Sequence, residues 1–259
     1  GISAEDWRWM LGVEVIPAMV FLLLVFKVSE SPRWLLLHKR DEAAARAVFN
    51  QLQESDVDSI VADIKRTRPA EKKSGLFAKR YRFPVMLAFL LAFFNQLSGI
   101  NFIIYFAPRI FSLAGLDSDS ALLSSAGVGI INLIFTMLGL YLIDKAGRRL
   151  LMLIGSIGYI VSLSVVAYAF YAGIGGMAVV FFVFLFIASH AIGQGAVIWV
   201  FISEVFPNAV RAKGQSLGAS THWVFAALIA LLMPFFLSVF SPAGIFSFFA
   251  FMMVLAPNP

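Results

Sequence analysis

The stretch that decides the fold is residues 83–111, which read FPVMLAFLLAFFNQLSGINFIIYFAPRIF. Both flanks are as apolar as a membrane helix, whereas the centre places the amides of Asn95, Gln96 and Asn101 around Gly99. A side-chain amide without partners in hydrocarbon costs several kcal/mol. We therefore expect these three amides to line a wet cavity or to bind a polar solute that is rich in hydroxyls.

The composition of the whole chain points to the same membrane environment. Of the 259 residues, 60% are hydrophobic and 14% are charged, and the mean hydropathy is +0.87. A soluble domain is about half apolar and about a quarter charged. The sequence contains no Cys, which excludes a disulfide framework, a thiolate nucleophile and a Cys-ligated metal site. We predict no catalytic residue, no metal site and no cofactor.

Six long apolar spans are predicted, followed by one shorter segment. Each of the six reaches the ~20 residues that are needed to cross ~30 Å of hydrocarbon. The spans are 9–28, 83–111, 121–143, 150–172, 178–206 and 216–240, and the shorter segment is 244–256. Because the chain begins with Gly1 and ends just after this short segment, we expect it to be a fragment that is cut at both ends.

The Lys and Arg residues are concentrated in alternate loops. Residues 29–82, 144–149 and 207–215 are basic, whereas the loops between them contain neither Lys nor Arg. The positive-inside rule makes the three basic loops cytoplasmic. This pattern accounts for the net charge of +5, so we expect contact with membrane lipids and no nucleic-acid partner.

The polar stretch 32–82 is predicted to be helical. Residues 41–52 combine strong helix formers with apolar positions at helical spacing. Ser55 is the expected N-cap of a second helix over 56–65, with Asp58 in the capping-box position. About fifty residues form only a small core by themselves. We therefore expect two or three short helices that lie against the cytoplasmic mouth of the bundle.

Four motifs resemble, in order, those of the sugar porter family of the major facilitator superfamily. They are Ser29-Glu30-Ser31-Pro32-Arg33 after the family's sixth helix, Gln96-Leu97-Ser98-Gly99-Ile100-Asn101 in the seventh, Asp144-Lys145-Ala146-Gly147-Arg148-Arg149 after the eighth, and Trp199 with Ser203-Glu204-Val205-Phe206-Pro207 and Arg211 at the tenth. The chain is similar to the C-terminal half of this family, which includes bacterial xylose and hexose symporters and glucose facilitators.

The resemblance implies an all-α fold, a polytopic membrane helix bundle that forms the C-terminal half of a 12-helix carrier plus a cytoplasmic helical segment. Residues 1–31 would hold the sixth transmembrane helix and residues 32–82 the cytoplasmic linker domain. Residues 83–259 would hold helices seven to eleven and a truncated twelfth. The missing N-terminal half of the same protein is an expected partner, and the expected location is a plasma membrane, the inner membrane in a bacterium.

The function that the resemblance implies is transport of a monosaccharide by alternating access, either as proton symport or as facilitated diffusion. It implies that the protein is not an enzyme. The substrate-binding side chains that it implies are Asn95, Gln96, Asn101, Tyr105, Asn132, Trp199 and Trp223. Amides match the paired hydroxyls of a pyranose, and an indole face covers the C–H side of a sugar ring. A hydrogen bond to a neighbouring helix for Asn132, and ordinary packing for Tyr105, Trp199 and Trp223, remain open alternatives.

Charged residues at the cytoplasmic ends of the spans suggest a second role. The resemblance implies that Glu30, Arg33, Asp144, Arg148, Arg149, Glu204 and Arg211 form a gating salt-bridge network, which holds the outward-facing state and breaks on inward opening. Clustered charges of both signs at a packed interface stabilise it only while they are paired. Topology and solubility are the alternative explanation for these charges.

Three further residues inside the spans remain open. Glu14 is either an interfacial carboxylate or a functional one. A neutral, hydrogen-bonded state is favoured for His190 over a proton relay, and His222 either lines the cavity or packs beside it. A carrier of a non-sugar solute and an inactive fragment are the alternative functions. A membrane-embedded glycosyl transferase is disfavoured because the sequence shows neither paired carboxylates nor a metal cluster near a membrane face.

Overall fold

The computed structural model describes residue 8, residues 12–66 and residues 75–256. Every regular element in these ranges is helical, which confirms the predicted all-α class. The chain divides into two compact units, residues 1–72 and residues 73–259.

Within its described residues, the first unit contains three helices: α1 (Val15–Val25), α2 (Glu42–Gln51) and α3 (Val57–Arg66). A single turn, Pro32–Trp34, leads into a π-helical turn, Leu35–Lys39. Over the described residues α1 has 11 residues and is exposed along its length, so it is shorter than the predicted span 9–28. Residues 9–11 of that span lie outside the described part of the chain. Glu14 is exposed at the start of α1, and its role stays open.

Helices α2 and α3 pack their apolar faces on a small core. The buried members of this core are Leu35, Leu36, Ala45, Phe49 and Val61. The predicted cap of α3 is wrong: the Asp56 carboxylate accepts from the Ser59 N–H at 3.1 Å, in place of Ser55. Asp58, the predicted capping-box residue, instead forms an ion pair with Arg46 at 2.6 Å, because the two helices lie side by side.

The carboxylate of Glu42 accepts from Lys65 at 2.5 Å and from Arg46 at 3.0 Å. These two cations, Lys65 first, hold the pKa of Glu42 below its ordinary value of 4.5. A pKa that is lower in the folded state contributes stability above the unfolded value, and this contribution disappears as the pH falls through the folded value. We therefore expect the α2–α3 pair to lose stability in acid below pH 4.5.

Lys65→Met is expected to return the pKa of Glu42 towards 4.5, because the strongest hydrogen bond to the carboxylate is removed. The measurement is a pH titration of ¹³C-labelled Glu side chains by NMR. Arg66→Met is the matched control, since Arg66 is paired with Asp63 and its loss should leave Glu42 unchanged. A Glu42 titration that is identical in wild type and Lys65→Met would contradict the assignment.

The second unit is a bundle of membrane-length helices. Its elements are α4 (Arg82–Leu97), α5 (Ile100–Tyr105), α6 (Ala107–Leu113), α7 (Ser118–Ala146), α8 (Arg148–Tyr171), α9 (Met177–His190), a π-helical segment (Ala191–Gly195), α10 (Ala196–Val205), α11 (Arg211–Val239) and α12 (Pro242–Leu255). By length and composition, five stretches of the described chain can cross a membrane: 79–105, 118–146, 148–171, 177–205 and 211–239. They correspond to five of the six predicted spans. The 14-residue α12 is the predicted shorter segment.

Two of the five stretches are interrupted. Gly99 has φ +81°, a left-handed conformation that separates α4 from α5. The second interruption is the π-helical segment 191–195, which contains Gly193 and Gly195. A Cβ placed on Gly193 would lie 2.7 Å from the Cα of Gly155 on α8. The absence of side chains at these glycines thus lets the two backbones approach, where the helix widens into a π-helical turn.

Burial is distributed unevenly over the bundle. In the most apolar part of α7 only 17% of the residues are buried, and in that of α11 only 11%. In the other three membrane-length stretches the corresponding fraction is 50–56%. These two helices therefore carry apolar side chains that no described part of this chain covers.

Candidate functional site

Gln96 lies at the centre of a polar cluster inside the bundle and is fully buried. Its amide nitrogen donates to the ring of His222 on α11 and lies 2.9 Å from each ring nitrogen. Its carbonyl oxygen accepts from the Asn101 amide at 3.0 Å. Positions five apart are not neighbours on a continuous α-helix, so the break at Gly99 is what brings Gln96 and Asn101 together.

Two indoles flank the same histidine. The Trp199 ring on α10 lies 5.0 Å from the His222 ring, and the Trp223 ring lies 5.3 Å from it, both in edge-to-face geometry. Trp199 is 37% exposed and Trp223 is 62% exposed, so each indole keeps a free surface. The structure thus brings Gln96, Asn101, Trp199 and Trp223 together around His222. In the sequence, the only indication that His222 belongs to the site was its position beside Trp223.

The other predicted binding residues take no part in the hydrogen bonds of this cluster among the described residues. Tyr105 is 54% exposed and Asn132 is half-buried, and no hydrogen bond within the described residues joins either to Gln96. Asn95 is buried, and its side-chain oxygen has no hydrogen-bond partner within the described chain. The same holds for the side-chain oxygen of Gln194 in the π-helical segment, a residue that sequence reasoning did not select. Buried acceptors of this kind are normally satisfied by water or by a bound hydroxyl.

The predicted gating residues are only partly brought together. Arg148 pairs with Glu204 at 2.9 Å and with Asp144 at 3.3 Å, which ties the end of α7 and the start of α8 to the end of α10. The Arg211 guanidinium donates to the Phe206 carbonyl at 3.3 Å. In the first unit, Glu30 pairs with Lys39 at 2.8 Å.

Three members of the predicted network have no ion pair among the described residues. They are Arg33, in the first unit, Arg149, at the start of α8, and Arg211, at the start of α11. The three-residue cluster of Asp144, Arg148 and Glu204 is therefore the part of the network that the geometry of this chain joins.

Similarity to known proteins agrees with this arrangement of motifs. A family model described as "Sugar (and other) transporter" matches residues 2–257. The chain belongs to this family. It is 32% identical over 234 residues to the D-xylose-proton symporter of Escherichia coli, covering 90% of this chain and 48% of that protein. It is also 32% identical to the glucose transporter GlcP of Staphylococcus epidermidis, covering 97% of this chain and 58% of that protein.

Solved structures of the major facilitator superfamily share the fold. The proton:xylose symporter XylE bound to 6-bromo-6-deoxy-D-glucose matches with a TM-score of 0.81 and 30% identity, over 96% of this chain and 54% of that one. The inward-open conformation of XylE from E. coli matches with a TM-score of 0.70 and 30% identity, over 96% and 52%. This member of the family is thus an integral, multi-pass membrane protein, and it spans about half the length of the curated relatives it matches.

Proposed function

We propose that the full-length protein carries a monosaccharide across the membrane by alternating access, as proton symport or as facilitated diffusion. The observation that carries the proposal is the hydrogen-bonded amide pair of the buried Gln96 and the partly buried Asn101 at a break in a membrane helix, with two partly exposed indoles beside it. The relatives support both modes, since one is named a D-xylose-proton symporter and another a glucose facilitated diffusion protein.

In this proposal the sugar contacts come from amides and aromatic faces. Asn95, Gln96 and Asn101 would exchange hydrogen bonds with ring hydroxyls, and the free oxygen of Asn95 suits a hydroxyl donor. Trp199 and Trp223 would cover the C–H face of the ring. Tyr105 and Asn132 would complete the wall, because both keep exposed surface. No covalent step is required, so we propose a carrier and not an enzyme.

The described part of the chain leaves the apolar sides of α7 and α11 uncovered. This supports a second wall of the binding site that another part of the protein provides. We assign that wall to the N-terminal half of the same protein, and we assign the outer surfaces of the bundle to membrane lipids. The protein would then reside in a plasma membrane, the inner membrane in a bacterium, with the basic loops 29–82, 144–149 and 207–215 on the cytoplasmic side.

The test of this function is uptake of labelled hexoses and pentoses by the full-length protein in vesicles, with and without an imposed pH gradient. Saturable uptake of at least one sugar is expected. Stimulation by an inward proton gradient would identify symport, and independence of the gradient would identify facilitated diffusion. Absence of saturable uptake for every sugar would reject the proposal in favour of a non-sugar solute.

The charged cluster supports a gate on the same side as the basic loops. Arg148 holds Glu204 and Asp144 together in this structure, and the pairing would have to open when α8 and α10 separate. Ion pairs that are partly exposed contribute little to stability alone, so a gate of this kind can open at modest cost. We propose that this ion-pair cluster favours the outward-facing state. The other predicted gating residues, which the sequence assigns to the same cytoplasmic ends of the spans, would contribute to it: Glu30, Arg33, Arg149 and Arg211.

Charge reversal tests this gate. Arg148→Glu or Glu204→Arg alone is expected to lower the maximal uptake rate roughly fivefold, because like charges then face each other. The double exchange should recover at least half of the wild-type rate. Lys145→Glu is the matched control, since Lys145 lies over the Tyr141 ring and not in the ion-pair cluster. A double variant as slow as either single variant would contradict the gate.

A further inference from the structure

A groove opens between the start of α4 and the start of α11, at the end of the bundle that carries the basic loops. Its volume is about 730 Å³, within the roughly 300–1,000 Å³ of sites that hold a small organic ligand. Its lining residues come from both helices and include Arg82, Val85, Met86 and Phe89 of α4 and Leu217 of α11. The amide cluster and the ion-pair cluster contribute no residue to this lining, so the groove is a separate site.

The wall that α4 contributes is charged at one end and apolar along the rest. Residues 82, 85, 86 and 89 are spaced i, i+3, i+4 and i+7, which places them in one stripe on a single face of the helix. Arg82 is the first residue of α4, and Phe89 lies two turns, or about 10 Å, further along it. Met86 is 52% exposed and Phe89 is 40% exposed. A cation at the head of an exposed apolar stripe matches the order of a phospholipid, in which a charged headgroup leads into acyl chains.

Two more basic residues lie beside Arg82 at the mouth of the groove. Lys79 lies in the turn that directly precedes α4, and Lys213 lies one turn before Leu217 on the same face of α11. All three cations are exposed, and none of them forms an ion pair with a described residue. Residues 75–116 and 205–259, which include both helices, contain neither Asp nor Glu. The charge of this mouth therefore favours an anionic ligand.

We propose that the groove is a binding site for an anionic phospholipid of the cytoplasmic leaflet. The headgroup would pair with Lys79, Arg82 and Lys213, and an acyl chain would lie along the apolar part of the α4 stripe. Basic pockets between transmembrane helices on the cytoplasmic side hold anionic headgroups in this way. The leaflet rests on the sidedness proposed above, whereas the site itself does not depend on which solute the protein carries.

Photo-crosslinking of the full-length protein in lipid nanodiscs tests the site without any solute. The probes are phosphatidylglycerol and phosphatidylcholine with the same diazirine-labelled acyl chain, and the labelled peptides are identified by mass spectrometry. Each cation near the membrane surface favours an anionic lipid about fivefold. We therefore expect phosphatidylglycerol to label residues 82–89 at least about tenfold more than phosphatidylcholine. Equal labelling by the two lipids would overturn the proposal. Absence of label from 82–89 would also overturn it, because another part of the protein would then cover the groove.

Substitution of Arg82 tests the headgroup contact. Arg82→Gln is expected to lower the labelling by phosphatidylglycerol about fivefold and to leave that by phosphatidylcholine unchanged. Arg82→Lys keeps the charge and should remain within about twofold of wild type. Arg109→Gln is the matched control, since Arg109 is an exposed arginine on α6, beyond the opposite end of the same membrane-length stretch, and it should change neither labelling. Wild-type labelling in Arg82→Gln would overturn the proposal.

Two further measurements carry the test if Arg82→Gln fails to accumulate. In the wild type, a rise in salt from about 0.1 M to about 1 M shortens the Debye length from about 10 Å to about 3 Å. The preference for phosphatidylglycerol at 82–89 should therefore disappear at high salt, and a preference that does not change would overturn the headgroup contact. Met86→Trp keeps every cation but fills the apolar wall, so it should lower the labelling by both lipids. Unchanged labelling in Met86→Trp would overturn the placement of the acyl chain.

Discussion

Replacement of Gln96 by Ala is expected to raise the half-saturation constant for sugar uptake by about 100-fold, or ~2.7 kcal/mol. The substitution removes an amide that is hydrogen-bonded on both sides, to His222 and to Asn101. Both partners then lose a hydrogen bond inside a membrane bundle, where each unpaired polar group costs about 1–3 kcal/mol. The proposed contacts of the amide with the sugar are lost as well, so binding and site geometry fail together.

The measurement is initial-rate uptake by the full-length protein over a range of sugar concentrations. Asn50→Ala is the matched control because it deletes an exposed side-chain amide on α2, in the first unit, and it should leave the constant unchanged. A change of less than threefold in Gln96→Ala would remove Gln96 from the binding set.

A double-mutant cycle separates the network from the sugar contact. If Gln96 is held by His222, the combined Gln96→Ala and His222→Ala variant should be less impaired than the product of the two single effects, because the second substitution breaks a bond that is already lost. Strict multiplicativity would show that His222 does not orient the Gln96 amide.

The membrane-spanning helices of the bundle could be predicted from sequence because the length of an apolar stretch is enough to identify a helix that crosses the membrane. Five predicted spans reappear with ends that differ by only a few residues, except at 83–111, where α5 and α6 continue the chain past the break. The break itself lies at Gly99, the glycine among the amides, since a left-handed residue in a helix is nearly always glycine.

What the sequence could not reveal depends on contacts between distant segments. Gln96 and His222 are 126 positions apart, and nothing local to either residue predicts the hydrogen bond. The π-helical segment arises from the approach of Gly193 to Gly155 across two helices, so a glycine-rich run alone did not identify it. Likewise Glu30 pairs with Lys39, an interaction set by the fold of the first unit and not by the motif around Glu30.

The second large effect concerns the break between α4 and α5. Gly99→Ala is expected to lower the free energy of unfolding by ~2–5 kcal/mol. A left-handed conformation costs a residue with a Cβ about 1–2 kcal/mol. In addition, the new Cβ would lie 2.6 Å from the Phe249 ring, which is buried in the larger core beside Phe102, and overpacking of this kind costs about 1–3 kcal/mol.

Thermal unfolding of the full-length protein in detergent measures the loss. Gly129→Ala is the matched control: no atom lies within 4 Å of a Cβ at that position in α7, so its stability should equal or slightly exceed that of wild type, as alanine favours helix by up to ~1 kcal/mol.

Gly99→Asn separates the two costs, because Asn tolerates the left-handed region but still meets Phe249. Phe249→Leu in the Gly99→Ala background should restore part of the stability by giving the new Cβ room. If Gly99→Ala is as stable as Gly129→Ala, the left-handed break cannot be what joins α4 to α5, and the pairing of Gln96 with Asn101 would need another origin.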